Sequence, residues 1–254
     1  MSADYLWPQW PAVIGVRAAC TLRSGGVSRA PYDAFNLGAH VGDAAGAVAQ
    51  NRRLLRRRLA LPREPLWLEQ VHGIEVLDAD RIGESASPPR ADGAVSRQPG
   101  AVLAVLVADC LPVLFAARDG SAVAVAHAGW RGLAAGVLEA TVAALAGCGP
   151  LQVWLGPAIG PEHFEVGQEV LAAFAAHDAG AAAAFRPNER GRWQCDLRAL
   201  ARARLNALGI EAVYTDPSCS FAEPRRFYSY RRDGATGRMA ALIWLHATAG
   251  TGAA

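Results

Sequence analysis

Cys110 and His127 stand 17 residues apart, at the outer ends of two apolar runs, Leu111–Ala117 and Ala122–Ala126, that flank Asp119-Gly120. Asp-Gly between apolar runs is a strong hairpin signal. Paired positions in an antiparallel hairpin have a constant sum, so the turn decides what Cys110 meets. A two-residue loop at Asp119-Gly120 gives a sum of 239, which sets Cys110 opposite Gly129 with His127 as its diagonal neighbour on the same face. A loop at Arg118-Asp119 gives 237 and sets Cys110 directly against His127. A three-residue loop sends the two side chains to opposite faces. A thiol beside an imidazole supports a metal half-site or a nucleophile with its base. The third reading is a packed apolar cysteine beside an unrelated histidine.

The other histidines are His40, His72, His163, His177 and His246; His177 lies in an alanine-rich segment and His246 in the tail, and both read as surface residues. His72 differs, because it stands beside Gly73 between two short strand-like stretches, where a side chain can project into a cleft. Together, His72, Cys110 and His127 would make three ligands with a fourth position open, as a catalytic zinc requires. Their spacings match no short zinc signature. A second cluster, His127-Ala128-Gly129-Trp130-Arg131-Gly132, leads into a helix expected from Leu133, so free N–H groups and Arg131 would suit a phosphate or carboxylate. Gly156–Pro161 could add a backbone cradle. In both places glycines that merely shape a turn are the plainer alternative. A third cluster, Ser229–Arg238, sets four charged groups beside two glycines ahead of a final apolar strand, where an ion-pair network is the structural alternative.

Composition narrows the chemistry. All 25 basic residues among 254 are arginine. Without lysine there is no Schiff-base lysine and no P-loop lysine, so any phosphate must be held by guanidinium and backbone N–H groups. A GC-rich coding sequence accounts for most of this bias. The run Asn51–Leu59 reads as a helix whose arginines form a solvated face, with leucines 54, 55 and 59 on the other side and no aromatics to stack bases. A net charge of +2 gives no argument for nucleic acid or membrane. The longest apolar run, Ala101–Ala108, is too short for a bilayer span. Asp4 with no basic segment before the first apolar residues implies no signal peptide, and five irregularly spaced cysteines fit a reducing cytoplasm.

The elements that must hold these groups follow from periodicity and punctuation. Residues 66–68 and 74–77 read as strands around Gln70-Val71-His72-Gly73, and Gly83–Ala91, with Ser85, Ser87, Pro88 and Pro89, as an exposed loop. Ala101–Val107, Leu111–Ala117 and Ala122–Ala126 read as strands, Leu133–Ala146 as one helix, and Val153–Leu155 as a strand. Helices are expected at about 166–177 and 196–208, with a last strand at Ala241–Leu245. Without a regular βαβ rhythm, α+β is expected rather than a doubly wound sheet.

Several of these strings together resemble one family. Gln70-Val71-His72-Gly73, Ala108-Asp109-Cys110-Leu111-Pro112-Val113 and His127-Ala128-Gly129-Trp130-Arg131-Gly132 look like its three metal-ligand motifs, in its order. Gly25-Gly26-Val27-Ser28, Asn36-Leu37-Gly38, Gly156–Pro161, Phe164-Glu165-Val166-Gly167 and Ser229–Arg238 are similar to its other motifs. The family has been called laccase-like polyphenol oxidase, peptidoglycan editing factor, and purine nucleoside phosphorylase with adenosine deaminase activity. The resemblance covers roughly residues 13–246 and implies a single catalytic domain over 1–254. It further implies two sheets between helical layers, an α/β/β/α sandwich like cysteine hydrolases of the cytotoxic necrotizing factor type.

The resemblance also implies zinc on His72, Cys110 and His127, with copper as the alternative ion, and cleavage of adenosine, inosine and methylthioadenosine by phosphate. On that basis Asp109 is the expected proton carrier or partner of the ligands. Arg131, Gln70, Asn36, Arg23 and Arg231 are the expected substrate or phosphate contacts. The expected partners are a small nucleoside and phosphate, with no nucleic acid or membrane, in a cytoplasmic monomer or weak homo-oligomer. Copper oxidase chemistry is the first rival, but a blue-copper site usually takes an axial methionine, only Met1 and Met239 exist, and no His-X-His string occurs. The second rival is amide hydrolysis that removes a wrong serine from a muropeptide precursor. A metal-stabilised binding module without catalysis is the third.

Overall fold

The apolar runs between residues 101 and 128 become three strands in which every residue is buried: Val102–Val107 (β5), Leu111–Ala117 (β6) and Val123–Ala128 (β7). Runs without polar alternation are what strands covered on both faces require. The computed structural model describes residues 5–83 and 87–246; Met1, Asp4 and Ser85 lie outside the described residues.

A six-stranded sheet has the order β12-β8-β6-β7-β4-β3, with Val76–Asp78 (β3), Gly93–Ser96 (β4), Leu151–Leu155 (β8) and Val213–Thr215 (β12). It is antiparallel except at its edges, where β12 runs parallel to β8 and β3 to β4. An antiparallel sheet of four joins Tyr5–Leu6 (β1), Val16–Thr21 (β2), Met239–Leu245 (β13) and β5. A small third sheet joins Phe185–Pro187 (β10), Trp193–Cys195 (β11) and Glu165–Val166 (β9). The protein is thus a mixed α/β structure with several sheets.

Alternate residues of the same strand enter different cores, as the two-residue side-chain period demands. Leu103, Val105 and Ile243 of the smaller sheet pack with Leu114, Val123 and Trp154 of the larger one. The opposite side chains of the larger sheet, Val113, Phe115 and Val153, pack with helices α3 (Val137–Ala144), α4 (Gln168–Ala175) and α5 (Leu197–Ala207) through Leu138, Phe174 and Leu200. Leu106 and Leu242 turn the other way, onto Phe35 and Leu37 of the preceding loop and onto Leu55 of helix α1 (Ala45–Arg58). Phe115 is fully buried, and truncating such a ring to alanine costs about 3–5 kcal/mol.

Several elements differ from the expectation. Helix α1 begins six residues earlier than Asn51, at Ala45; Arg53, Arg56, Arg57 and Arg58 face solvent, but Arg52 stacks 4.1 Å over Trp67. Residues 66–68 form no strand. Leu66 makes one parallel bridge to Leu103, and the segment runs along the free edge of β5 as irregular chain. The second stretch is shifted to β3. The expected helix at Leu133–Ala146 is two: Trp130–Ala135 (α2) and α3, broken at Gly136, whose φ of 108° no helix can hold. The loop from Gly83 is exposed at Ser87 and Pro88, yet its end is not, because Ala91 is fully buried. Among the described residues no helix is long and apolar enough to cross a membrane.

Candidate metal centre

The β6–β7 pairing has the register Leu111↔Ala128 through Ala116↔Val123, a constant sum of 239. The connection is wider than two residues: Ala117 N–H bonds to the Ala122 carbonyl, and Gly120, at φ 76°, bonds back to Ala117. Extending the register by one step sets Cys110 across from Gly129, with His127 diagonal to it on the same face. His72 arrives from the segment beside β5, and its Nε2 lies 3.7 Å from Cys110 Sγ. The His72 and His127 rings meet edge to face at 4.8 Å between centroids. One ligand atom from each of His72, Cys110 and His127 lies within 4.8 Å of the others, and burial is graded: His127 buried, Cys110 intermediate, His72 exposed.

A residue absent from the sequence reading holds this cluster. Asp92 is fully buried just ahead of β4, and its Oδ1 lies 2.8 Å from His127 Nδ1. The same carboxylate accepts the backbone N–H groups of Val71, His72 and Gly73 at 3.1, 3.0 and 2.6 Å. One carboxylate therefore ties the loop of one histidine to the ring of the other, and leaves His127 Nε2 for a ligand. The β4–β7 register, Gly93↔Ala126, places Asp92 opposite His127. The signal was the order Asp92-Gly93 before an apolar strand; only knowledge that β4 pairs with β7 would have decoded it.

Backbone conformation and glycine complete the centre. His72 and Asp109 have φ of 60° and 91°, a region that costs non-glycine residues on the order of 1–3 kcal/mol. Asp92 holds the first in place. The second is held because the Asp109 carbonyl accepts Ile159 N–H while its carboxylate accepts the Ser220 hydroxyl and the Arg231 N–H. A Cβ on Gly129 would stand 2.6 Å from His72 Cδ2 and 3.1 Å from Cys110 Sγ, and one on Gly132 would stand 2.8 Å from the Gly73 carbonyl. Absent side chains at both positions let the strand end and α2 close on the His72 loop.

The electrostatics are those of a thiolate among imidazoles. Burial by itself would raise Cys110, but the charge of His127 and hydrogen bonds from both histidines outweigh it and draw the thiol below its ordinary value. For His127, burial is likewise overcome, by Cys110 and Asp92, and the imidazole is raised. Burial opposes the Asp92 carboxylate too, yet the His127 contact and the N–H groups of Gly73 and Val71 hold it below its usual value. A depressed thiol and aimed ring nitrogens are the donor chemistry of a soft or borderline cation.

The other residues expected at the site are placed variously. Asp109 is half-buried beside Cys110, and its carboxylate contacts Ser220 and Arg231 rather than a histidine ring. Arg131 is exposed, stacked 4.5 Å over Trp130 at the start of α2, which no side chain caps. Gln70 uses both ends of its amide on the Leu106 backbone, replacing a strand partner for β5. Asn36 is fully buried and bonds to Gly38, Asp43 and Arg238. Arg23 bonds to Asp33 and Pro224, and the Arg231 guanidinium to the Glu165 carbonyl. The expected cradle at Gly156–Pro161 is not free, since the N–H groups of Gly156, Ile159 and Gly160 go to Pro112, Asp109 and Cys219. A cavity of about 510 Å³ elsewhere, lined by residues such as Arg63, Trp67, Ile82 and Pro88, includes none of the cluster residues, so cavity size does not choose the site.

Comparison with known proteins gives the family of the chain. A family model described as multi-copper polyphenol oxidoreductase laccase matches residues 17–246. A Pseudomonas aeruginosa protein named purine nucleoside phosphorylase is 54% identical over 243 residues, 95% of this chain and 98% of that protein. The Escherichia coli K12 purine nucleoside phosphorylase YfiH is 52% identical over 94% of this chain and 97% of its own length. Among solved structures, a Neisseria meningitidis protein superposes with a TM-score of 0.90 at 46% identity, covering 96% of this chain and 99% of that one. YlmD from Geobacillus stearothermophilus superposes at 0.89 and 32% identity, covering 97% of each chain. The match encloses His72, Cys110 and His127, and the chain belongs to the multi-copper polyphenol oxidoreductase laccase family, together with relatives named purine nucleoside phosphorylase.

Proposed function

We propose that this chain is a zinc-dependent purine nucleoside phosphorylase that cleaves adenosine, inosine and methylthioadenosine and also deaminates adenosine. The observation that carries the reading is the three-donor cluster itself, one drawn-down thiol and two imidazoles, open toward solvent on the His72 side. Relatives at 52–54% identity that bear the phosphorylase name support it. Zinc held by His72, Cys110 and His127 would supply a Lewis acid. Met239, the described methionine, accepts the Tyr228 N–H on its sulfur at 3.1 Å, which favours zinc over an axially ligated copper.

In phosphorolysis a phosphate oxygen bonds to the anomeric carbon as the bond from that carbon to the purine nitrogen breaks. The electron pair leaves with the purine, which gains a proton. This chain must therefore hold an oxyanion on one side of the sugar and deliver a proton on the other. Arg131, whose guanidinium has no hydrogen-bond partner among the described residues, is a phosphate contact in this reading. Asp109 keeps lone pairs beyond its bonds to Ser220 and Arg231 and carries the proton. Gln70 and Asn36 position the His72 loop and the 36–38 turn. Arg23 and Arg231 would have to exchange internal bonds to reach a ligand.

The same reading takes 1–254 as one catalytic domain of a cytoplasmic monomer or weak homo-oligomer, with nucleoside and phosphate as its partners. Core clusters on both faces of each large sheet support an α/β/β/α stack like that of the necrotizing-factor hydrolases. Metal analysis with an inosine assay tests the function. Stoichiometric zinc and phosphate-dependent release of hypoxanthine are expected. Phosphate-independent release of serine from a muropeptide precursor, with no purine released, would overturn it in favour of the editing amidase. Phenol oxidation that requires copper would overturn it in favour of the oxidase.

A further inference from the structure

Most arginines near the centre are already engaged; Arg238 is engaged only in part, through Nη1 and a 5.9 Å contact of its Cζ with the Tyr230 ring. It precedes β13 by one residue, and since Met239 pairs with Val107, Arg238 falls beside Ala108, directly ahead of Asp109 and Cys110. Its backbone is bracketed by the 36–38 turn: Arg238 N–H bonds to Asn36 Oδ1, and Leu37 N–H to the Arg238 carbonyl. Its stem crosses Gly38, where a Cβ would stand 2.8 Å from Arg238 Cγ. The guanidinium uses Nη1 on the Thr236 and Gly237 carbonyls, while Nε and Nη2 have no acceptor among the described residues. No carboxylate forms an ion pair with it there, though it lies within the field of Cys110 and Asp109.

Two further observations point to an anion. His40 follows the same turn, and after partial burial the charges of Arg238, Arg52 and His127 hold it below the ordinary histidine value. His40 thus sits next to the turn whose Asn36 and Leu37 bracket the Arg238 backbone. Of the two arginines against this turn, Arg52 puts Nε and Nη2 on the Leu37 carbonyl and stacks on the Trp67 ring, whereas Arg238 keeps those two nitrogens unbonded among the described residues. Thr236, on the turn whose carbonyls hold Nη1, is 2% exposed, and its hydroxyl has no partner. Buried polar groups without partners are rare and call for explanation.

We propose that Arg238 and His40 form the oxyanion subsite of this centre and take inorganic phosphate beside the His72–Cys110–His127 cluster. The proposal rests on the phosphorolytic reading and deepens it: phosphate sits at the turn formed by residues 36–40 and 236–238. A guanidinium whose Nε–Nη2 edge is unbonded suits a tetrahedral oxyanion, and lysine would replace its charge but not its fork.

The test uses the full-length, zinc-loaded chain and inorganic phosphate as the probe. Calorimetric phosphate binding and the phosphate KM for inosine cleavage are compared in wild type, Arg238→Gln, Arg238→Lys and His40→Gln, with zinc content and melting temperature measured in each. Loss of one charged hydrogen-bond donor set predicts phosphate affinity at least about tenfold weaker in Arg238→Gln. Arg238→Lys should recover it in part, and nucleoside KM and zinc content should stay near wild type. If Arg238→Gln does not fold, weakening of phosphate alone in His40→Gln supports the proposal. Unchanged phosphate affinity in both Gln variants, with wild-type turnover still phosphate-dependent, overturns the subsite and leaves the phosphorylase reading standing. A wild type that neither binds phosphate nor needs it for purine release overturns both.

Discussion

Among the described residues, two cysteine–histidine pairs stand at the same separation. Cys110 Sγ is 3.7 Å from His72 Nε2, and Cys219 Sγ is 3.7 Å from His163 Nδ1. Their surroundings differ in kind. Cys110 has a second imidazole, a hollow created by Gly129, and a buried carboxylate one bond further out. Cys219 has the backbone N–H groups of Gly160 and Ala222 on its sulfur, and its histidine lies flat against Phe221 at 4.6 Å. The first pair faces a space that a cation could fill. The second is closed upon itself, with the sulfur serving as an acceptor that ends a loop. A short sulfur–nitrogen distance therefore says little; the partners beyond it decide between a centre and a brace.

That contrast breaks most visibly at the sulfurs. Cys110→Ser should lose stoichiometric zinc and nucleoside cleavage together, while Cys219→Ser should keep both; equal zinc in the two variants would erase the distinction. Asp92→Asn comes next, with zinc affinity about 10–100-fold weaker, because such outer partners typically matter by that much. A competition titration against a chelator reads it. Gly129→Ala introduces an atom 2.6 Å from His72 Cδ2, and a strained insertion costs about 1–3 kcal/mol, so zinc affinity should fall by about tenfold while circular dichroism stays unchanged. The matching change at the other pair, Gly160→Ala, meets Cys219 Sγ at 3.3 Å and should leave zinc alone.

A smaller effect concerns pH. In metal-free protein the Cys110 thiol is held low, so thiolate is already present below the range where an ordinary thiol near 8.5 ionises. Its alkylation rate should level off at correspondingly lower pH. His127→Ala removes the leading charge that lowers it and leaves burial, so the profile should move to higher pH. A profile that stays in place would mean that His127 does not set the thiol. The smallest change is His163→Ala: it removes a ring stack of about 0.5–1.5 kcal/mol, visible as a modest fall in melting temperature without loss of metal.

Local pattern made one of these pairs legible and not the other. Asp119-Gly120 between apolar runs put Cys110 and His127 on one face in two of the three loops it allows; the observed sum of 239 is one of those two, even though the real turn spans four residues. The motif strings carried His72 into the same set, which spacing could not. Asp92 stayed hidden because its partner lies 35 positions away on a strand whose neighbour no local rule names. The spent arginines were hidden for a similar reason: composition counts guanidinium groups but does not say which carbonyls they already hold, as Arg23 does with Asp33 and Pro224. Helix ends behaved likewise. The alanine-rich stretch after Leu133 looks continuous until Gly136 adopts a φ of 108° between α2 and α3.

The shared carboxylate has an observable consequence at the surface. Val71 and His72 are exposed, so their amide protons would ordinarily trade with water quickly. Here both end on Asp92, as does that of Gly73. Exchange at these three amides requires the carboxylate to let go, and the carboxylate is the group that fixes the buried imidazole of His127. Deuterium uptake at an outward-facing loop therefore becomes a clock for the interior of the centre. Slow uptake marks a histidine held in place, and a burst of it marks the moment the ring is released.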